Sequence, residues 1–186
     1  MPKTITFDLP TKKTLNANNR SSNPAWEGVK VSEIRKMARS IGIDAHDDKD
    51  RARERMNVII DEQNLISNKK RLRKKMTKAG HKEEEIVDAL NALESEQSPE
   101  TPSKDIEVDF MFKVFKVTVT VYGPTARKFD PPNFYPTIKA FVDGLTDSSW
   151  WDDDNFEQLV EMSFKYGGKS GIKGNYLFEL TAEETS

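Results

Sequence analysis

A charged, helical stretch that interrupts two strand-like parts of the chain constrains the fold more than any other feature. Up to its final linker this stretch contains no proline, and its apolar residues recur at helical spacing. Gly80 divides it, which predicts either a helical hairpin or three short helices. The linker, residues 95–104, is rich in Pro, Ser and Glu. The sequence therefore predicts a helical insertion, residues 44–104, in a domain formed by residues 1–43 and 105–186.

The segments on either side of the insertion alternate apolar and polar residues, as half-buried strands do. These segments are residues 5–9, 106–121, 160–166 and 176–180. In the second of them the apolar positions change phase once, which indicates a bulge or two separate strands. Residues 29–40 and 135–145 instead repeat apolar residues at helical spacing. We therefore expect an α+β domain in which helices pack on a small mixed β-sheet.

Composition excludes several classes of protein and of site. The net charge of −2 does not attract nucleic acid or an anionic membrane, so such binding needs a local patch. The chain has no cysteine, which excludes disulfides and thiolate metal sites, and its two distant histidines do not favour a zinc site. No apolar run reaches the roughly 18–20 residues of a membrane span or forms a signal-peptide core. We expect a cytoplasmic protein without a membrane partner.

Acidic residues flank the predicted helix 135–145 on both sides. Asp130 lies in the Pro-rich loop before the helix, and Asp152–Asp154 follow two tryptophans after it. A helix of this length spans only ~15 Å, so both loops can reach one edge of a sheet. Carboxylates gathered there need a cation to stay ionised together, and Mg²⁺ prefers such oxygen ligands. With Lys139 projecting from the helix toward a phosphate, the arrangement suits phosphodiester hydrolysis.

The same residues also have a purely structural interpretation. A run of three aspartates is most often a solvated turn. Lys139 and Asp143, four residues apart on a helix, most often form an ordinary ion pair. From the spacing alone, the structural interpretation is the more frequent outcome.

The order of the motifs resembles that of the RusA-type Holliday-junction resolvases of bacteria and their phages. The matching stretches are RKFDPPN (127–133), KAFVDGL (139–145), WWDDD (150–154), the early LNANNR (15–20) and the closing Gly-Gly turn. The resemblance covers roughly residues 3–42 and 106–182 and leaves the helical segment as an insertion. It implies a RusA-like homodimer in a bacterial or phage-infected cell. Such a protein uses Mg²⁺, or Mn²⁺, to cut branched DNA during recombination and repair.

The resemblance assigns catalytic roles to Asp130, Lys139, Asp153 and Asp154, and it makes the three aspartates metal ligands. This sequence departs from the family pattern in two places. Pro132 replaces the second aspartate of the first loop, and the stretch from that loop to the lysine is about three residues longer. Either Asp152 takes the place of the missing ligand, or the metal is held by fewer protein ligands and more water.

Further candidates for DNA contact come from family position and from basic residues. They are Asn19, Arg20, Asn133, Lys169 and Lys173, together with Lys69, Lys70, Arg71 and Arg73 in the cluster KKRLRKK (69–75). This cluster has two interpretations. It either neutralises DNA phosphates or is the exposed face of a helix balanced by Glu83–Glu85.

Two functions remain open at this level. The first is an Mg²⁺-dependent endonuclease selective for branched DNA, which the retained Asp130, Lys139 and Asp153–Asp154 favour. The second is a catalytically weakened relative that binds DNA or a protein partner through residues 44–104, which Pro132 favours. We expect the nuclease.

Overall fold

The fold is built on a four-stranded mixed β-sheet. The computed structural model describes residues 1–18, 24–97 and 110–185. Its strands are β1 (Lys3–Pro10), β2 (Phe115–Gly123), β3 (Leu159–Lys169) and β4 (Asn175–Glu184). Its helices are α1 (Pro24–Ala45), α2 (Lys49–Lys78), α3 (Glu83–Gln97) and α4 (Tyr135–Asp147), with 3₁₀ turns at Thr11–Lys13 and Pro131–Phe134. The predicted α+β class is confirmed.

The chain divides into two compact units. The first contains residues 1–53 and 109–186, and the second contains residues 54–108. The sheet, α1 and α4 belong to the first unit, whereas α3 and most of α2 belong to the second. None of the helices in the described residues is long and apolar enough to cross a bilayer. That residues 44–104 are an insertion into a RusA-like domain stays a prediction.

The strand order β1-β4-β2-β3 gathers several loops at one end of the sheet. β4 runs antiparallel to both β1 and β2, whereas β2 and β3 are parallel. As a result β1, β2 and β3 all finish where β4 begins, and we call this the Asp130 end because Asp130 follows β2 there. The parallel pair needs a crossover, which α4 supplies. The loops before and after α4 therefore leave the sheet at opposite ends, so Asp130 and Asp152–Asp154 are carried by loops that start at different ends of the sheet.

The core lies where α1 and α4 pack on one face of the sheet. Alternate residues of β2 are fully buried, as the alternation predicted: Phe115, Val117, Val119 and Val121. The apolar face of α4 meets them with Ile138, Phe141, Val142 and Leu145, all fully buried. Phe7 of β1 stacks on Phe141 with 3.8 Å between ring centroids. Both the strand and the helix predictions for these segments are confirmed.

The predicted strand before β2 differs from the structure. Residues 106–109 lie outside the described residues, and Phe110–Val114 do not belong to a strand. Phe112 is nevertheless buried, and its N–H donates to the carbonyl of Trp150 at 3.0 Å. The change of phase therefore marks the point where the chain leaves the tryptophan contact and enters the sheet.

Helices α1 and α4 approach each other closely at Gly144. A Cβ at this position would lie 2.5 Å from the Cβ of Ala38 and 2.6 Å from the backbone oxygen of Arg35. Both distances are far below the van der Waals separation of such atoms. Glycine thus permits the approach that brings charged side chains of both helices within hydrogen-bond range.

Replacing Gly144 by alanine tests this contact. Gly144→Ala should destabilise the first unit by about 1–3 kcal/mol, because the backbone of α1 must move to admit the methyl group. Urea denaturation followed by tryptophan fluorescence measures the change. Gly28→Ala in α1 is the matched control, since nothing lies within 4 Å of its added Cβ. It should leave stability unchanged or raise it by up to about 1 kcal/mol, and equal losses in both variants would contradict the packing argument.

Candidate functional site

Six charged side chains from α1, α4 and the loop after α4 form one ion cluster. Its members are Arg35, Arg39, Lys139, Asp143, Asp147 and Asp154. The two arginines are four residues apart on α1, and the three α4 residues follow at intervals of four. Residues at this spacing share one face of a helix. The cluster therefore arises from two helix faces that Gly144 lets approach.

Asp147 forms the buried end of the ion cluster. Its side chain is only 5 % exposed, and Arg35 binds both carboxylate oxygens, through Nε and Nη2, at 2.6 Å. Arg39 Nε donates to Oδ2 at 2.7 Å. The hydrogen bond to Asp147 raises the pKa of Arg35 against the effect of burial, and the charges of Asp143 and Asp154 add to it. The two ends of the cluster are thus electrostatically connected.

Lys139 forms the half-exposed end of the ion cluster. Its ammonium donates to Oδ1 of Asp143 and to Oδ2 of Asp154. Burial lowers the pKa of Lys139, but the hydrogen bonds to Asp143 and Asp154 outweigh it and the pKa is raised overall. Two oxygens bonded to the same nitrogen lie within about 6 Å of each other. The lysine therefore holds two carboxylates together, one of them from outside its own helix.

The loop that carries Asp154 is shaped by its own side chains. Asp153 accepts hydrogen bonds from the N–H of Asp154 at 2.8 Å and from Asn155 Nδ2 at 3.0 Å. The N–H of Asp153 donates to Gln158 Oε1 at 2.8 Å. The Asp153 carboxylate thus organises the turn, while that of Asp154 reaches Lys139. Asp152 is exposed on the same loop.

Buried tryptophans fix where this loop starts. Trp150 and Trp151 are fully buried, as the sequence predicted for residues covering the core. Trp150 Nε1 donates to the Gly42 carbonyl at 3.0 Å, and Trp151 stacks on Phe115 with 4.1 Å between ring centroids. Because both rings are fixed, the aspartates after them leave the core at a defined place.

His46, one of the two histidines of the chain, also helps to fix the backbone just before the tryptophans. Its ring is buried, and Nδ1 accepts a hydrogen bond from the N–H of Asp48 at 2.9 Å. Nε2 therefore carries the proton and donates to the carbonyl of Ser149 at 3.1 Å. Ser149 has a positive φ of 66°, a strained conformation that the histidine helps to retain.

At the Asp130 end of the sheet, the loop before α4 is joined to the Asn-rich N-terminal loop. The Asn133 carbonyl accepts from the N–H of Ala17 at 2.8 Å. Buried Thr137 accepts from the N–H of Leu15 at 2.7 Å and donates to its carbonyl at 2.8 Å. Asp130 is exposed beside these bonds, at the start of the 3₁₀ turn. Asn19 and Arg20, the predicted contacts that follow this loop, lie outside the described residues.

The predicted lysines of the last turn lie at the same end of the sheet. Lys169 closes β3 opposite Gly123 of β2, and Lys173 lies in the exposed turn before β4. Tyr166 of β3 lines a pocket of about 350 Å³ with Asp130. The structure therefore brings Asn133, Lys169 and Lys173 to the end that carries Asp130. Lys69, Lys70, Arg71 and Arg73 lie on α2 in the second unit.

The aspartates predicted as metal ligands are distributed over two places. Within residues 1–18, 24–97 and 110–185, no three His, Cys, Asp or Glu side chains are grouped so that they could hold a metal ion. Asp130 thus does not join Asp152–Asp154 in such a group. Asp143 and Asp154 do come together, and carboxylate oxygens held about one cation match the ligands that Mg²⁺ prefers. The chemistry of this pair therefore fits Mg²⁺. In the structure, the Lys139 ammonium lies between the two carboxylates and supplies the positive charge there.

No family model matches the sequence, and no curated protein matches it significantly. The interpretation of the site therefore depends on its own geometry. Sequence reasoning paired Asp143 with Lys139 but did not count it as a site residue, and it missed Asp147, Arg35 and Arg39. The signal was present in the four-residue spacing of charges on both helices, but that spacing does not show which faces meet.

Removing the buried charge of Asp147 should weaken the packing of α1 against α4. Asp147→Asn removes the buried charge that Arg35 and Arg39 both bind and should cost about 3 kcal/mol of unfolding free energy. Urea denaturation followed by tryptophan fluorescence measures the loss. Asp44→Asn, an exposed change on α1 with the same chemistry, is the control and should change stability by less than about 0.5 kcal/mol. A similar small effect for Asp147→Asn would refute the proposed importance of the buried pair.

The pKa of Lys139 gives a test against pH. Because the folded pKa is raised above the ordinary value of 10.5, the ion pairs contribute fully below that pH. The contribution is lost as pH rises through the folded pKa. The difference in unfolding free energy between wild type and Lys139→Met should be constant from about pH 6 to 9 and shrink above about pH 10.5. A difference that already declines between pH 7 and 9 would contradict the assignment.

Proposed function

We propose that the protein is an Mg²⁺-dependent endonuclease that cuts branched DNA. The observation that carries the proposal is the Lys139 ammonium held between the carboxylates of Asp143 and Asp154, on the helix that begins at the Asp130 end. Paired carboxylates beside a lysine are suited to binding a cation and a phosphate in adjacent places. The resemblance of the motifs to RusA-type resolvases supplies the substrate, a four-way junction, and the expectation of a homodimer acting in recombination and repair.

Asp143 and Asp154 would hold the metal, with Asp130 and Asp153 as further candidates from the resemblance. When bound, the ion supplies Lewis-acid polarisation of a phosphoryl oxygen and a more acidic water. Lys139, no longer needed between the carboxylates, is free to donate to a non-bridging phosphate oxygen. Its positive charge then stabilises the negative charge that develops during hydrolysis.

The DNA strand would extend from Lys139, near the start of α4, toward the Asp130 end of the sheet. Lys169 and Lys173 present exposed ammonium groups there, and Asn133 is positioned by the bond of its carbonyl to Ala17. Lysine side chains on flexible stems contact phosphates as point charges. These contacts position the backbone and carry no base sequence, which agrees with recognition of a branch by shape.

A second function is favoured by the charge balance of the ion cluster. Its three carboxylates face three bases, so the cluster is electrically neutral without a bound ion. Such a cluster can hold α1, α4 and the loop after α4 together without any catalytic role. The protein would then be a binding protein without catalytic activity, as the replacement of the family's second aspartate by Pro132 also suggests.

Cleavage of a labelled four-way DNA junction with and without Mg²⁺ distinguishes the two functions. Asp154→Asn should lower the cleavage rate at least about 100-fold, because it removes a charged ligand while keeping the shape of the side chain. DNA binding measured by mobility shift should persist or tighten, since negative charge leaves the site. Asp44→Asn is the control and should cut as the wild type does.

Two further variants test individual roles in the same assay. Lys139→Met should slow cleavage while leaving metal binding intact, because the lysine is proposed to act on the phosphate. Asp152→Asn should be as severe as Asp154→Asn only if Asp152 replaces the ligand missing at Pro132. A wild type that never cuts, or cuts no faster than Asp154→Asn, would leave the binding protein as the function.

A further inference from the structure

We propose that a basic stripe on α2 binds the sugar–phosphate backbone of DNA, at a place separate from the ion cluster. The basic stripe consists of Arg71, Lys74, Lys75 and Lys78, all exposed. Their spacing of i, i+3, i+4 and i+7 puts them on one face of the helix. Seven residues rise by about 10 Å, so the stripe presents four positive charges over a short length. The proposed function identifies the polyanion as DNA, but the stripe itself does not depend on catalysis.

The structure separates the stripe from two other cations of the run 69–75. Lys69 Nζ lies 2.7 Å from Oε2 of Glu94, and Arg73 Nη2 lies 2.5 Å from Oε1 of Glu83. Both acids belong to α3, so these two cations are already neutralised between the helices. In the described part of the chain, none of the four stripe residues forms an ion pair. Basic residues that are neighbours in the sequence therefore lie on two faces of α2, one paired with α3 and the other carrying the stripe.

Two of the three acids that were expected to balance the run have partners other than the stripe residues. Glu83 binds Arg73, and Glu85 accepts hydrogen bonds from His81 and from the N–H of Lys82. The hydrogen bond from His81 lowers the pKa of Glu85 and keeps it ionised there. Neither Glu83 nor Glu85 therefore cancels the positive charge of the stripe.

The surface beside the stripe fits an extended polyanion better than a protein partner. The four cations line a pocket of about 580 Å³ whose remaining walls are Asn68, Leu72 and Leu93. Two leucines offer little apolar area, and aromatic anchors of the kind that dominate protein interfaces are absent from this lining. Closely spaced cations around so small an apolar area suit phosphate groups, which carry a charge at every nucleotide.

Salt dependence of DNA binding provides a quantitative test. For duplex DNA, the slope of log K against log salt is about −0.9 for each phosphate neutralised. The stripe should therefore contribute a slope of about −3.6 if all four cations engage. The probe is a fluorescein-labelled 30-base-pair duplex, with a four-way junction in parallel, titrated with the full chain by anisotropy. EDTA in the buffer prevents cleavage.

The matched variants differ only in the face of α2 that they change. Lys74→Gln with Lys78→Gln removes two stripe charges, and Lys69→Gln with Arg73→Gln removes two charges already paired with α3. Both pairs are four residues apart and change the net charge equally. The stripe variant should reduce the magnitude of the slope by about 2 and weaken binding more than about tenfold at 0.1 M salt. The control should leave the slope unchanged, and circular dichroism should show the same helix content in both.

Each outcome decides between the proposals. Equal losses of DNA affinity and salt slope in both variants indicate that the net charge alone matters, and they overturn the stripe proposal. A wild type that binds neither the duplex nor the junction also overturns it. If the wild type cuts the junction but the stripe variant has the same salt slope as the wild type, only the stripe proposal is overturned. If the wild type never cuts the junction but the stripe variant has a smaller salt slope than the wild type, the nuclease proposal is overturned and the stripe proposal is upheld.

Discussion

The buried carboxylate of Asp147 between Arg35 and Arg39 is the interaction on which the arrangement of the site depends. Burial of an isolated carboxylate costs several kcal/mol, and only partners with good geometry offset that cost. A bidentate arginine and a second guanidinium provide such geometry, and Gly144 lets the two helices come close enough for it. Once α1 is fixed against α4 in this register, the remaining charges on the same face of α4 point toward the loop that carries Asp154.

The other end of the ion cluster has a different character because it is half exposed. Lys139 holds Asp143 and Asp154 together through an ammonium group that a metal ion and a phosphate could replace. These ion pairs join α4 to the loop that carries Asp154, and the proposed function uses the same two carboxylates as metal ligands. The buried tryptophans before this loop and the ion pair of Asp147 with Arg35 fix the two elements that carry these carboxylates.

In the second unit, helix geometry changes the meaning of a run of basic residues. In the sequence, residues 69–75 form one cluster, but successive residues of a helix point in directions 100° apart. Lys69 and Arg73 consequently pair with glutamates of α3, whereas three other cations of the run join Lys78 on an exposed face: Arg71, Lys74 and Lys75. The distinction between a structural and a binding role therefore follows from direction around the helix and not from position along the chain.

The sequence by itself determined which segments form strands and helices and which of their faces are buried. The repeat of apolar residues every 2 or 3.6 positions is a local property of the chain. The alternation of β1, β2 and β4, the apolar face of α4 and the burial of both tryptophans follow from it, and so does the α+β class. Tertiary structure alone decided which distant groups meet: the parallel pairing of β2 with β3, the contact of Phe112 with Trp150, and the choice of Arg35 and Arg39 as partners of Asp147. The physical reason is that local periodicity specifies which face of an element is apolar, whereas pairing between elements depends on packing, burial and charge across long separations in the chain.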